Sequence, residues 1–311
     1  NGDVVALPAG AAPPRRVVGN VRLTPAADWV DLTFSTGDRP PYEIVERGNE
    51  LELLLFGTQL TPEILPIIGN DTLVRQIAWT QDATDRARVT LQLSRPPYGY
   101  LVLWDAARGL FTLRLRRVPT IDPRAPLRGL TIVVDAGHPP GGATGATGLW
   151  EPVAVLPVAE RVRDLLRERG ATVVMTRTTA DPVPLGDRGI VARRANAHAF
   201  VSVHLNAFPE GVNPFANNGT STLFFHQHAE PLARHVQREL VRRFQVRDLG
   251  VHYQNLAVAR PPWMPAVLTE GLFLMMPEQE AALRSPAGRE LYAGGIVAGL
   301  EDYFRELANG R

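Results

Sequence analysis

The stretch Leu130-Thr131-Ile132-Val133-Val134-Asp135-Ala136-Gly137-His138 decides how this chain is read. Its β-branched apolar run is too short for a helix and has the composition of a strand buried on both faces. An acid, two small residues and a histidine close it. The arrangement recurs twice downstream: Phe200-Val201-Ser202-Val203 runs into His204, and Ala266-Val267-Leu268-Thr269 runs into Glu270. Around these strands lie helical segments at 159–169 (closed by Gly170), 185–197, 231–244 and 288–307, and further strands at 172–176, 221–225 and 256–259. Such alternation predicts an α/β fold, a mixed, mostly parallel sheet flanked by helices on both faces. Sheets of that kind bind ligands beyond the carboxyl ends of their strands, which is where His138, His204 and Glu270 fall.

Upstream the period changes. Val30, Leu32 and Phe34 alternate with Asp31 and Thr33, and Leu51, Leu53 and Leu55 follow a Gly48-Asn49 turn. Val89, Leu91 and Leu93, then Phe111, Leu113 and Leu115, alternate in the same way. Period-two segments at this spacing, with no amphipathic helix among them, predict a small all-β sandwich. The expected organisation is a flexible arm at 1–15, a β-sandwich at 16–117, a Pro-rich linker at 118–129 and an α/β domain at 130–311.

Composition narrows the chemistry. The 311 residues carry a net charge of +1, with nothing that points to nucleic acid. No apolar run approaches the ~20 residues of a transmembrane helix, and no secretory leader pattern opens the sequence. There is no cysteine, so a thiolate metal site and a disulfide scaffold are excluded. All 33 basic residues are arginine, which removes lysine as a general base or Schiff-base former.

What remains at the strand ends suits a metal. Glu151 follows a Gly-rich loop at 139–148 and directly precedes a helix. Two imidazoles and a carboxylate (His138, His204, Glu151) with an open fourth position are the donor set of a catalytic zinc ion, one per chain. Glu270 is the further carboxylate that would serve as general base. The Gly-rich loop lacks Gly-Lys-Ser/Thr and any GxGxxG opening a helix, which argues against a nucleotide site.

The successive motifs Asp135-Ala136-Gly137-His138, Gly148-Leu149-Trp150-Glu151, Ser202-Val203-His204-Leu205-Asn206-Ala207 and Pro265 to Phe273 resemble those of the zinc-dependent N-acetylmuramoyl-L-alanine amidases of the Amidase_3 type. The family usually has Pro where Ala136 stands and Gly where Pro139 stands; neither change removes a ligand. The resemblance implies zinc held by His138, Glu151 and His204, catalysis by Glu270, and peptidoglycan as substrate. It also implies a periplasmic or other extracytoplasmic location in the cell envelope. The β-rich segment is similar to AMIN domains, which implies an envelope or division partner. Family members that are autoinhibited carry a long insertion, whereas 207–220 is short, implying an open site. Asn206 is a candidate for substrate hydrogen bonding. Arg260, expected at the end of the 256–259 strand, is a candidate for pairing with a stem-peptide carboxylate. His226 and His228 read as an exposed polar end sharing a strand face, and His198, His235 and His252 receive no role. Pro157 predicts that the helix after Glu151 starts late or kinks. Two other readings stay open: a zinc peptidase acting on another peptidoglycan amide, and a non-catalytic envelope-binding protein.

Overall fold

The computed structural model describes residues 16–61, 67–68, 71–209 and 211–310; the arm expected at 1–15 lies outside them. The chain divides into two compact units, Asn1–Val118 and Pro119–Arg311.

Among the described residues, the first unit contains ten strands in two five-stranded sheets. One holds β1 (Arg16–Pro25), β2 (Trp29–Ser35), β5 (Thr58–Leu60), β9 (Gly99–Asp105) and β10 (Leu110–Arg116), in the order β5-β1-β2-β10-β9. The other holds β3 (Tyr42–Arg47), β4 (Glu50–Phe56), β6 (Ile67–Ile68), β7 (Val74–Ala83) and β8 (Arg86–Leu93), in the order β3-β4-β8-β7-β6. The alternating residues meet in one core: Leu32 and Phe34 from one sheet, Leu53 and Val89 from the other, are all essentially inaccessible. Their polar neighbours face out, where Arg114 pairs with Asp31 at 2.8 Å and Thr33 bonds Thr112 at 2.9 Å. The period-two pattern thus becomes a two-layer sandwich because each strand has one face to hide.

The second unit contains a six-stranded sheet. Its strands are β11 (Thr131–Ala136), β12 (Thr172–Met175), β13 (Ala199–Asn206), β14 (Thr220–Phe224), β15 (Asp248–Tyr253) and β16 (Ala266–Phe273), in the order β12-β11-β13-β16-β14-β15. Every neighbouring pair is parallel except β14 with β16. The helices are α1 (Glu151–Glu168), α2 (Leu185–Arg194), α3 (Glu230–Phe244), α4 (Pro277–Arg284) and α5 (Pro286–Ala308).

Register shows which face each helix covers. Val203 sits opposite Thr269, and Thr269 opposite Thr222, so the three share a face. Tyr292 of α5 reaches Thr269 at 2.9 Å and Gln237 of α3 reaches Thr222 at 3.0 Å, so α3 and α5 lie on that side. Asp135 and Ser202 point the other way, where Arg188 of α2 meets Asp135. Gly271 is required by this packing: a Cβ there would fall 2.1 Å from the Tyr292 ring.

Three local expectations are corrected. The helix after Glu151 begins at Glu151 itself and runs through Pro157. The carbonyl left without a donor belongs to Val153, a residue on the exposed side of the helix, where water can replace the bond. The strand expected at 256–259 is a turn; the edge strand is β15, whose Gly250 and His252 mask its strand character in sequence. His226 caps and His228 lies within a 3₁₀ turn at Gln227–Ala229 that leads into α3, and His228 is buried with its ring stacked on His226 at 5.2 Å. Among the described residues, no helix is long and apolar enough to cross a membrane.

Candidate active site

Each site residue is placed by the end of an element. His138 leaves β11 with φ of +54°, a left-handed conformation that costs a non-glycine residue of order 1 kcal/mol and persists where surroundings enforce it. Here the enforcers are two buried guanidiniums. Arg188 donates to the carbonyls of His138 and Pro139 at 3.1 and 3.0 Å and pairs with Asp135 at 2.7 Å. Arg177 donates to the carbonyls of Ala136 and Gly137, both at 2.8 Å, and to that of Pro152 at 2.9 Å. Gly137 is needed because a Cβ would lie 2.5 Å from the His204 ring. His204 is near the end of β13, directly opposite Glu270 on β16.

Glu151 opens α1 and is 3% exposed. The Gly-rich loop before it is tied down by Glu280 of α4, which accepts from the backbone N–H groups of Thr147 and Leu149 at 2.8 and 3.0 Å. Burial opposes a charge on Glu151, but its hydrogen bonds with His138 and His204 outweigh that and hold its pKa far below the usual carboxylate range. One oxygen accepts from Leu205 N–H at 3.0 Å and faces His204 Nδ1 at 3.2 Å. The other accepts from Ala143 N–H at 2.9 Å and faces His138 Nε2 at 3.3 Å.

This cluster fits a metal. The donor atoms of His138, Glu151 and His204 lie within 4.8 Å of one another. Nδ1 of His138 stands 3.0 Å from the Pro140 carbonyl, which can only accept, so that nitrogen carries the ring proton. A neutral His138 then turns a lone pair on Nε2 toward a carboxylate oxygen. Two acceptors at 3.3 Å call for a cation between them, a proton or a metal ion. His138 has a raised pKa, chiefly through its bond to Glu151, which expresses the same demand.

Glu270 is different in kind. Its Oε2 is buried and bonded to nothing among the described residues. Burial, then the charge of Glu151, pushes its pKa up to about 8. It lines a cleft of about 610 Å³ together with Asn206, Ser221, Leu223 and Arg247.

The structure therefore brings together His138, Glu151, His204, Glu270 and Asn206. It does not bring Arg260 in: that residue sits in the turn after β15, bonded to Asn255 at 2.6 Å, and is not among the cleft residues. His198 is structural, accepting from Thr131 N–H at 2.8 Å, and His235 pairs with Glu306 at 2.9 Å. His252, read as without a role, lines the cleft. Sequence reading missed Arg177, Arg188 and Glu280. A hint was present only in Arg188, which lies inside an otherwise apolar-faced helical segment. Described residues of 207–219 form turns and no helix, as the shortness of that segment suggests.

Three clustered donors beside a carboxylate short of partners are the working parts of a hydrolase that uses a metal ion. Comparison with known proteins narrows that class. The model of the N-acetylmuramoyl-L-alanine amidase family matches residues 132–302, more than half of the chain, and the chain belongs to that family. It is 32% identical over 200 residues to the germination-specific N-acetylmuramoyl-L-alanine amidase of Bacillus subtilis, covering 58% of this chain and 82% of that one. Among solved structures it is similar to the N-acetylmuramoyl-L-alanine amidase AmiC2 of Nostoc punctiforme, with 30% identity, a TM-score of 0.52, and 56% and 96% of the two chains covered. The amidase of Clostridium difficile 630 is similar at 31% identity and a TM-score of 0.53, again over 56% of this chain and 96% of that one. The family match lies wholly within the second unit.

Proposed function

We propose that this enzyme is zinc-dependent and hydrolyses the amide between the lactyl group of N-acetylmuramic acid and L-alanine of the peptidoglycan stem peptide. His138, Glu151 and His204 hold the metal, one per chain, and Glu270 is the catalytic base. The observation that carries the reading is Glu270: a buried carboxylate oxygen without a partner among the described residues, directly across from His204. All-nitrogen and oxygen donors with two imidazoles suit zinc among the common catalytic metals.

A zinc ion held there would polarise the scissile carbonyl and bring the pKa of a water toward ~7. Glu270 takes the proton that water loses as it attacks, then delivers it to the departing amine of L-alanine as the carbon–nitrogen bond breaks. Burial raises the Glu270 pKa in the metal-free protein, the direction that makes a carboxylate a better base than an exposed one. Asn206 offers its side-chain amide to the substrate: its carbonyl oxygen is taken by Ala207 N–H at 2.8 Å, and its NH₂ has no partner among the described residues.

The first unit is proposed to be an AMIN-like module that directs the enzyme in the extracytoplasmic envelope through the wall or an envelope or division protein. The proposed organisation is a sandwich at 16–117, a linker at 118–129 and the catalytic domain at 130–311. Digestion of purified sacculi with mass spectrometry of the products tests the bond. New L-alanine amino termini with unmodified lactyl groups support the reading; cleavage at a peptide cross-link replaces it with a peptidase. Metal analysis tests the ligands: wild type should carry about one zinc and His204→Ala should lose it, and full retention removes His204 from the set.

A further inference from the structure

The cleft beside Glu270 extends across the sheet toward its edge. Glu270 pairs with Ser221 of β14, and Ser221 pairs with Gly250 of β15. That row spans two strand spacings, roughly 10 Å. Arg247 lies just ahead of β15, three residues before Gly250 and next to Asp248, which pairs with Thr220; its carbonyl accepts from Thr220 N–H at 3.0 Å, so the backbone there is anchored. The Arg247 side chain is exposed and lines the same cleft as Glu270.

Its donors are largely unspent. One guanidinium nitrogen bonds Asn217 at 3.0 Å, and no carboxylate among the described residues pairs with it. The acid next to it, Asp248, has one oxygen committed to Gln237 at 2.6 Å and to Gly250 N–H at 2.8 Å. The imidazole in the cleft, His252, is tied through Nε2 to the Leu249 carbonyl at 2.6 Å. Arg177 and Arg188, by contrast, spend their N–H groups on backbone carbonyls beneath the site.

We infer that Arg247 forms an anion subsite that takes a free carboxylate on the peptide arm of the substrate. A planar fork of N–H donors matches a carboxylate in a way no other cleft residue does. An extended peptide advances about 3.4 Å per residue, so a carboxylate on the second or third residue beyond the scissile amide falls at this distance. Arg247 takes the part that sequence reading gave to Arg260. The inference rests on the amidase reading.

The test uses two synthetic muramyl peptides, identical except that one bears free carboxylates at its second and third residues and the other carboxamides. Wild-type enzyme should prefer the acid by about tenfold or more in kcat/KM, the worth of a charge-assisted hydrogen bond. Arg247→Gln should bring the ratio close to one, chiefly through KM on the acid substrate. Because both substrates meet the same preparation, a loss of folded enzyme cancels in the ratio. Arg247→Lys should keep a preference of the same sign. Hydrolysis of both substrates at equal rates by wild type, or an unchanged preference in Arg247→Gln, overturns the subsite and leaves the amidase reading intact. Hydrolysis of neither substrate overturns both.

Discussion

Asp135 and Glu270 are two carboxylates on one face of one sheet, separated by a single intervening strand. Asp135 is saturated: Arg188 at 2.7 Å, Ser202 at 2.5 Å and Thr176 at 2.5 Å fill its oxygens, and the Arg188 that neutralises it also grips the loop of His138. Glu270 has an oxygen with no partner among the described residues. The same functional group in the same layer is thus saturated in one place and short of a donor in the other. A satisfied carboxylate is held in place by its donors, whereas an unsatisfied one that is buried is short of the stabilisation its charge needs and takes a proton readily.

Three substitutions can break or sharpen that contrast. The largest effect is expected for Glu270→Gln, which should lower turnover on sacculi by about 10²- to 10⁴-fold with metal content unchanged, the range for losing a general base. Near-normal release of stem peptides by this variant would make Glu270 as structural as Asp135. Asp135→Ala should instead destabilise the fold by about 3–5 kcal/mol, because it leaves the Arg188 charge buried and unpaired. Urea unfolding reads it, and a loss under 1 kcal/mol would mean that the backbone carbonyls alone satisfy Arg188.

Glu270→Gln should also have the opposite sign in stability. The folded-state pKa of about 8 lies above the unfolded value near 4.5, so the folded protein binds the extra proton between these limits. Stability of the metal-free protein should therefore fall as pH rises from about 5 to 8, by an amount of order a few kcal/mol. Melting temperature against pH should show that slope in the wild type and a flatter one in Glu270→Gln; parallel curves would sink the assignment of the shift. The smallest effect is expected for Arg177→Met. It removes three carbonyl contacts behind His138 and should weaken metal binding about 10- to 100-fold, the usual cost of losing support behind a ligand. Chelator competition measures it, and unchanged affinity would show that Arg188 positions the loop unaided.

The sandwich and the α/β sheet were legible because each pattern is local. Leu51, Leu53 and Leu55 alternate within seven residues, and Val133 and Val134 announce a strand buried on both faces without reference to anything distant. Boundaries failed where tertiary contacts override propensity: α1 begins at Glu151 because that carboxylate and its backbone N–H are held by the loop at Ala143. The strand β15 was misplaced because a glycine and a histidine occupy positions that an interior strand would give to apolar residues.

For the site, sequence by itself determined which residue types stand at the strand ends. Parallel strands of one sheet deliver their last residues to one edge, so His138, His204 and Glu270 were bound to converge. Only the tertiary structure decided what each could do. Arg177, Arg188 and Glu280 come from distant parts of the chain to fix the loops. Arg247, not Arg260, lines the cleft. Glu270 lacks a donor on one oxygen among the described residues, and an absent hydrogen bond leaves no trace in the order of the residues.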